Sequence, residues 1–316
     1  MRIVFFVVVL LFLALLGYVG IAGYFLAHTT AGLLKTGPIS ALLATAEPPT
    51  DPLALGYRGD PLQALSLPYQ AVSIETQLGP AEAWLVPAAG TEKGRAIYVH
   101  GIAGAREDGY RHLSILHEAG WSVLLVSYRN DPSAPPSPEG RYAFGLLEWP
   151  DLEAAVAYMA PSDTGPGVLV VAESMGGAVL GQFLMQSPLA QRISAVALDS
   201  PAISFRAVVG HLAEQSGRPL YGPMARTAEL LLPWLTGLPL ERAEVAEVFQ
   251  SFPGPLFIAH GAADRIVPAA PSQALAEGRT GVTVTHWTKA DHLGSYAEDP
   301  GAYRTAFTAF LDALAR

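Results

Sequence analysis

Three residues in this chain have the types and the order needed to drive a hydroxyl onto a carbonyl carbon. Ser174 stands in Ala172-Glu173-Ser174-Met175-Gly176-Gly177, Asp264 in His260-Gly261-Ala262-Ala263-Asp264, and His292 in Ala290-Asp291-His292-Leu293-Gly294. A serine hydroxyl is a weak nucleophile until a base takes its proton, and the base works best when an acid fixes its tautomer. A tetrahedral oxyanion then needs donors already aimed at it. The amides of Ile102 and Met175 are the candidates, the first in the loop after His100-Gly101 and the second directly after the serine.

The elements that must position these groups can be read around them. Residues 168–171 have the length and β-branched content of a buried strand, and residues 178–186 read as a helix. A serine between the two rides a tight turn, and the small residues Ala172 and Gly176 let the backbone fold back and hold the hydroxyl clear. This is the geometry of a nucleophile elbow, with Ala172 in place of the first glycine of G-x-S-x-G. A serine here also serves as an ordinary helix cap. The acid and histidine that follow, each just past a strand, separate the two readings.

Strands are expected at 71–77, 81–86, 96–99, 122–126, 194–198, 256–259 and 282–287, with helices at 110–118, 152–159 and 302–314. Repeated strand–helix units with apolar strands predict an α/β fold with a mostly parallel sheet covered on both faces and a hairpin at one edge. Residues 130–140 hold several prolines and read as a surface loop. Residues 201–252 carry apolar clusters at helical spacing and are expected to form a helical lid above the C-terminal edge of the sheet.

Residues 3–27 contain no charge, and as one helix would be about 37 Å long, more than the roughly 30 Å of a hydrocarbon core. Residues 1–28 therefore read as a transmembrane anchor, with a cleaved signal peptide as the alternative. Arg2 before the span and Lys35 after it leave little charge asymmetry, and a catalytic domain outside the cytoplasm is the favoured orientation. Residues 29–67 read as a proline-rich linker, and the folded domain is expected over 68–316.

Other candidates fall into place around the three. Asp199, also at a strand end, is the reserve acid, whereas Asp291 adjoins the histidine and would reach its ring poorly. His28, His112, His117 and His286 read as bystanders, and His100 and His260 as braces for turns. Glu173 needs a partner, for which Arg129 is the candidate. No H-E-x-x-H or similar spacing calls for a metal, and no G-x-G-x-x-G opens a helix after the first strands, so no cofactor is expected. A net charge of −9 without a basic run argues against nucleic acid, and the absence of cysteine excludes disulfides and a thiol nucleophile.

The chain resembles the α/β-hydrolase superfamily, and within it membrane-anchored serine hydrolases of the BEM46-like and prolyl-oligopeptidase-like kind. The resemblance spans about residue 65 to the C-terminus and is carried by His100-Gly101, Tyr128-Arg129, the Glu173–Gly177 elbow, and the Asp264 and His292 loops. It departs where Asn130-Asp131-Pro132 follows Tyr128-Arg129 in place of glycines. The resemblance implies an esterase acting on a small-molecule or lipid ester. A peptidase, amidase or thioesterase with the same triad is an alternative, and so is a membrane-tethered binding domain without activity.

Overall fold

In the computed structural model, which describes residues 1–37, 48–160, 165 and 167–314, the chain opens on a long helix, α1 (Arg2–Leu33), and a short one, α2 (Pro61–Leu65). Asp60 caps α2 by accepting from the Gln63 amide at 2.8 Å. Two antiparallel strands follow, β1 (Gln70–Thr76) and β2 (Gly79–Val86). Strand and helix then alternate through β3 (Gly94–Val99), α3 (Tyr110–Glu118), β4 (Trp121–Val126), α4 (Trp149–Met159), β5 (Val168–Glu173), α5 (Met175–Gln186) and β6 (Ile193–Asp199). Helices α6 (Phe205–Gln215), α7 (Tyr221–Thr236) and α8 (Ala246–Ser251) interrupt the alternation. It resumes with β7 (Leu256–Gly261), α9 (Ala270–Gly278), β8 (Thr283–Thr288), α10 (Ser295–Glu298) and α11 (Pro300–Leu314).

The strands form one eight-stranded sheet in the order β1-β2-β4-β3-β5-β6-β7-β8. β2 pairs antiparallel with both β1 and β4, and every other pairing is parallel. Alternate side chains of the inner strands feed opposite faces, as the two-residue period requires. Ile97, Val99, Val168 and Val170 join the core beneath α4 and α5, with Leu152, Val156 and Phe183. Ala96, Tyr98, Leu169 and Val171 join the core beneath α3 and α11, with Leu113, Leu116, Phe307 and Phe310. Burial of each large apolar side chain contributes about 1.5–3 kcal/mol, which is why β5, buried at all six positions, anchors the centre.

Two segments differ from expectation. α1 continues past residue 28 to Leu33, because Ala27, Ala31 and Leu34 belong to the core beneath α4 and α5. Within the stretch read as a linker, residues 38–47 lie outside the described residues, and the remainder is packed. Leu53, Tyr57, Leu65 and Leu67 lie against the core beneath α3 and α11. Prolines remove backbone donors there, but the apolar side chains between them bury enough surface to offset the cost of ordering. The 201–252 insertion is helical as its spacing predicts, and α7 packs along α1, with Gly23 so close that a Cβ there would meet Thr227 Cβ at 2.5 Å.

Candidate active site

Ser174 links β5 to α5 with φ +48° and ψ −120°, a conformation that L side chains rarely adopt. The turn is held from three sides. The Ser174 amide donates to the Asp199 carbonyl at 3.0 Å, and the Ser174 carbonyl accepts from the amides of Gly177 and Ala202 at 3.0 and 2.9 Å. Glycine at 176 is a steric requirement, since a Cβ there would lie 2.5 Å from the Val99 carbonyl oxygen. Ala103, Ser200 and Leu293 also have positive φ, so strained backbone gathers around this serine. Ser200 Oγ accepts from the Leu293 amide at 3.2 Å, joining two of these turns.

His292 Nε2 lies 2.9 Å from Ser174 Oγ, and its Nδ1 lies 2.7 Å from Asp264 Oδ2. An ionised carboxylate only accepts, so Nδ1 carries the proton and donates to it. Nε2 is then left as the acceptor facing the Ser174 hydroxyl. Asp264 is itself fixed, because its Oδ1 accepts from the amides of Ile266 and Val267 at 2.9 and 2.8 Å. Burial alone would raise the Asp264 carboxyl, but His260, His292 and the Val267 amide hold it well below the usual carboxylate range. His260 Nε2 is 3.2 Å from Asp264 Oδ2 and 3.0 Å from the Val267 carbonyl, while Nδ1 meets Ser272 Oγ at 2.8 Å. It braces the acid loop.

A cavity of about 390 Å³ opens onto Ser174 and His292. Ile102, Ala103, Ile266 and Leu293 supply apolar wall, and Leu55, Gly56 and Arg58 close it from the segment read as a linker. Asp108 ties that segment in place, accepting from the Gly56 amide at 3.0 Å, from Arg58 at 2.9 Å and from the Ala105 amide at 2.8 Å. No residue of 201–252 lines this cavity. The insertion reaches the site through His211, whose Nε2 is 3.0 Å from the Asp264 carbonyl oxygen.

The two expected amide donors flank the serine. Met175 begins α5 directly after it, and Ile102 lines the cavity next to Gly101, whose Cβ, if present, would lie 2.8 Å from Ser174 Cβ. Tyr128 Oη donates to the carbonyls of His100 and Gly101 at 3.1 Å, and the His100 ring stacks on Tyr128 with centroids 4.3 Å apart. Asp131 completes this brace at 2.8 Å from His100 Nε2, so residues 130–140, read as a surface loop, turn inward at their start.

Glu173 is paired, but not with Arg129. Arg111 on α3 meets its Oε1 at 2.5 Å, His112 Nδ1 is 3.1 Å from the same oxygen, and Tyr98 Oη donates to Oε2 at 2.7 Å. Arg129 instead forms a two-pronged pair with Asp151 at 2.8 and 2.9 Å. The Glu173 side chain points away from the turn into the core beneath α3, where α3 brings the cation of Arg111 within reach. Burial would raise its carboxyl, and Arg111, with His112 and Tyr98, holds it below its ordinary value. His112, read as a bystander, belongs to this network and meets Tyr303 Oη at 2.8 Å. A charged residue ending the apolar β5 is the sequence signal that such a partner had to exist.

Asp199, the reserve acid, accepts from Tyr303 Oη at 2.9 Å and is not hydrogen-bonded to His292. Asp291 is engaged by Arg265, whose Nε donates to it at 2.7 Å. His28, His117 and His286 lie outside the cavity. The side chains of His112, Glu173 and Asp199 bring ligand-type atoms within 4.8 Å of one another, but Arg111 already supplies the cation there.

The fold of this chain is shared with solved structures. An esterase of Pyrococcus furiosus is 21% identical, with a TM-score of 0.63 over 85% of this chain and 97% of that one. The chain has the α/β-hydrolase fold. The same α/β-hydrolase fold appears in an esterase of Thermogutta terrifontis, 17% identical at a TM-score of 0.55 over 78% of this chain and 99% of that one. A bromoperoxidase of Bacillus anthracis is 16% identical at a TM-score of 0.55, over 77% of this chain and 100% of that one. No family model and no curated protein matches the chain.

Proposed function

We propose that this protein is a membrane-anchored serine hydrolase that cleaves carboxylic esters through an acyl-enzyme. The observation that carries the reading is the Asp264–His292–Ser174 hydrogen-bond chain, at 2.7 and 2.9 Å, opening onto a cavity. His292 Nε2 takes the proton as Ser174 Oγ attacks the carbonyl carbon, and Asp264 stabilises the imidazolium that results. The oxyanion is held by the Met175 and Ile102 amides. His292 then returns the proton to the departing alcohol, and a water activated by the same nitrogen releases the acid.

The esterase names of solved structures with this fold support an ester substrate, and the apolar wall from Ile102, Ala103, Ile266 and Leu293 suits an acyl chain. His100-Gly101, Tyr128-Arg129 and the Glu173–Gly177 elbow support kinship with the BEM46-like and prolyl-oligopeptidase-like serine hydrolases. α1, 32 residues long and uncharged from Ile3 onward, is the anchor, with the catalytic domain outside the cytoplasm. The test is Ser174→Ala, assayed on a short-chain p-nitrophenyl ester. Turnover is expected to fall by about 10⁶, and labelling by a fluorophosphonate to vanish. Activity that survives the substitution overturns the reading.

A further inference from the structure

α1 has two kinds of surroundings. From Ile3 to Tyr18 its side chains are almost all exposed, although none is charged. From Ala22 onward it packs on the domain through Ala22, Gly23, Ala27, Thr30 and Ala31. The free apolar run, residues 3–21, is about 28 Å long at 1.5 Å per residue, close to the roughly 30 Å of a hydrocarbon core. Protein packing therefore begins where such a core would end, beside Tyr18, Ile21 and Tyr24.

At that level the chain connecting α6 to α7 comes alongside. Tyr18 Oη donates to the Pro219 carbonyl at 3.2 Å. Arg218 lines a depression of about 330 Å³ with Tyr18, Ile21, Ala22 and Phe25, and an adjoining one of about 310 Å³ with Leu26, Thr30 and Met224. Arg206 and Arg226 on the same insertion share Glu229, whereas no carboxylate lies within 4 Å of Arg218 among the described residues. Thr30 Oγ1, buried in the wall of the second depression, has no hydrogen-bond partner. Leu220 and Tyr221, at the start of α7, are 40% and 43% exposed.

We infer that the turn over residues 216–221 is a lipid-contacting surface that rests on the bilayer beside α1. Arg218 lays its apolar stem along Ile21 and Phe25 and presents its guanidinium to lipid phosphate, which matches its planar fork of donors. Leu220 and Tyr221 enter the interfacial zone, where tyrosine is favoured, and Tyr18 and Tyr24 mark the same level on α1. The helices run in the same direction, since Tyr18 meets Pro219 and Gly23 meets Thr227. Trp234, 89% exposed, is about 15 Å further along α7 than Met224 and stays in water. The insertion is thus held at the membrane surface by α1 and by lipid together. This rests on the reading of α1 as a spanning helix.

The chain has no cysteine, so a single introduced one reports alone. Phe12→Cys, Leu220→Cys and Trp234→Cys, each carrying a nitroxide, are placed in nanodiscs of phosphatidylcholine and phosphatidylglycerol, and collision with oxygen and with a nickel chelate is measured. Positions 12 and 220 are expected to favour oxygen and be shielded from nickel several-fold relative to 234. Adding Arg218→Glu should return position 220 toward the nickel-accessible state without changing turnover of a soluble ester. If 12 is shielded while 220 matches 234, the inference fails and the anchor stands. If 12 is also open to nickel, the anchor reading fails and takes the inference with it.

Discussion

Replacing Asp264 by asparagine tests the geometry more sharply than deleting it. The two oxygens of Asp264 have different duties, since Oδ1 accepts from the Ile266 and Val267 amides and Oδ2 faces His292 Nδ1 at 2.7 Å. An asparagine cannot turn its amide group toward two backbone N–H donors, so its oxygen must stay at the Oδ1 position. Its NH₂ then points at His292 Nδ1 and at His260 Nε2, 3.2 Å from the present Oδ2. His292 can meet a donor only by accepting at Nδ1, which moves its proton to Nε2, opposite Ser174 Oγ. In that tautomer the ring cannot take the serine proton. Serine proteases with the corresponding change lose about 10⁴ in kcat, or about 5.5 kcal/mol of transition-state stabilisation. The assay is kcat and KM for a soluble ester at neutral pH, with thermal melting to show that the variant folds. A folded Asp264→Asn enzyme within tenfold of wild type would refute the tautomer argument.

Asp199→Asn is the companion, because that carboxylate is bonded to Tyr303 and not to His292. It should change kcat/KM by less than about tenfold, under 1.4 kcal/mol, and a larger loss in a folded variant would return Asp199 to contention as the acid. Arg111→Met leaves Glu173 buried without its cation and is expected to cost about 3–5 kcal/mol in denaturant titration. Most of that loss should return when Glu173→Gln is added, and a cost below 1 kcal/mol contradicts the pairing. His100 is buried between Asp131 and the Gly101 carbonyl, and although burial lowers its pKa, Asp131 raises it above its ordinary value. The stability this adds is complete below about pH 6.5, the unfolded value, and is lost as pH rises through the higher folded one. Calorimetry should therefore show a decline from near pH 6.5 upward that disappears in Asp131→Asn, and an identical decline in both proteins would count against the pair.

Local pattern carries much of this site. The Ser174 turn, the Asp264 loop and the His292 loop are each defined by the end of a strand and a few residues after it, and the structure brings the three side chains together. What pairs with Glu173 is not local. Arg111 is 62 residues away on a helix across the sheet face, and nothing in the spacing separates it from Arg129, which sits after β4. The wall formed by Leu55, Gly56 and Arg58 was hidden for a related reason. Prolines signal where a chain cannot form regular structure, but not whether its apolar side chains find a surface to cover. Likewise the helical spacing of 201–252 shows that helices form there, while the position of α7 is decided by α1, whose small residues allow the two backbones to approach.

The approach of α7 to α1 also fixes an order of events in synthesis. Tyr18 and Pro219 are 201 residues apart, and at 5–20 residues per second about 10–40 s separate their emergence from the ribosome. The small residues of α1 that α7 packs against, Ala22 and Gly23 among them, therefore stay without that partner until α7 has been made. The contact of α7 with α1 thus joins a helix made late in synthesis to the first-made helix of the chain, before β7 and β8 complete the sheet.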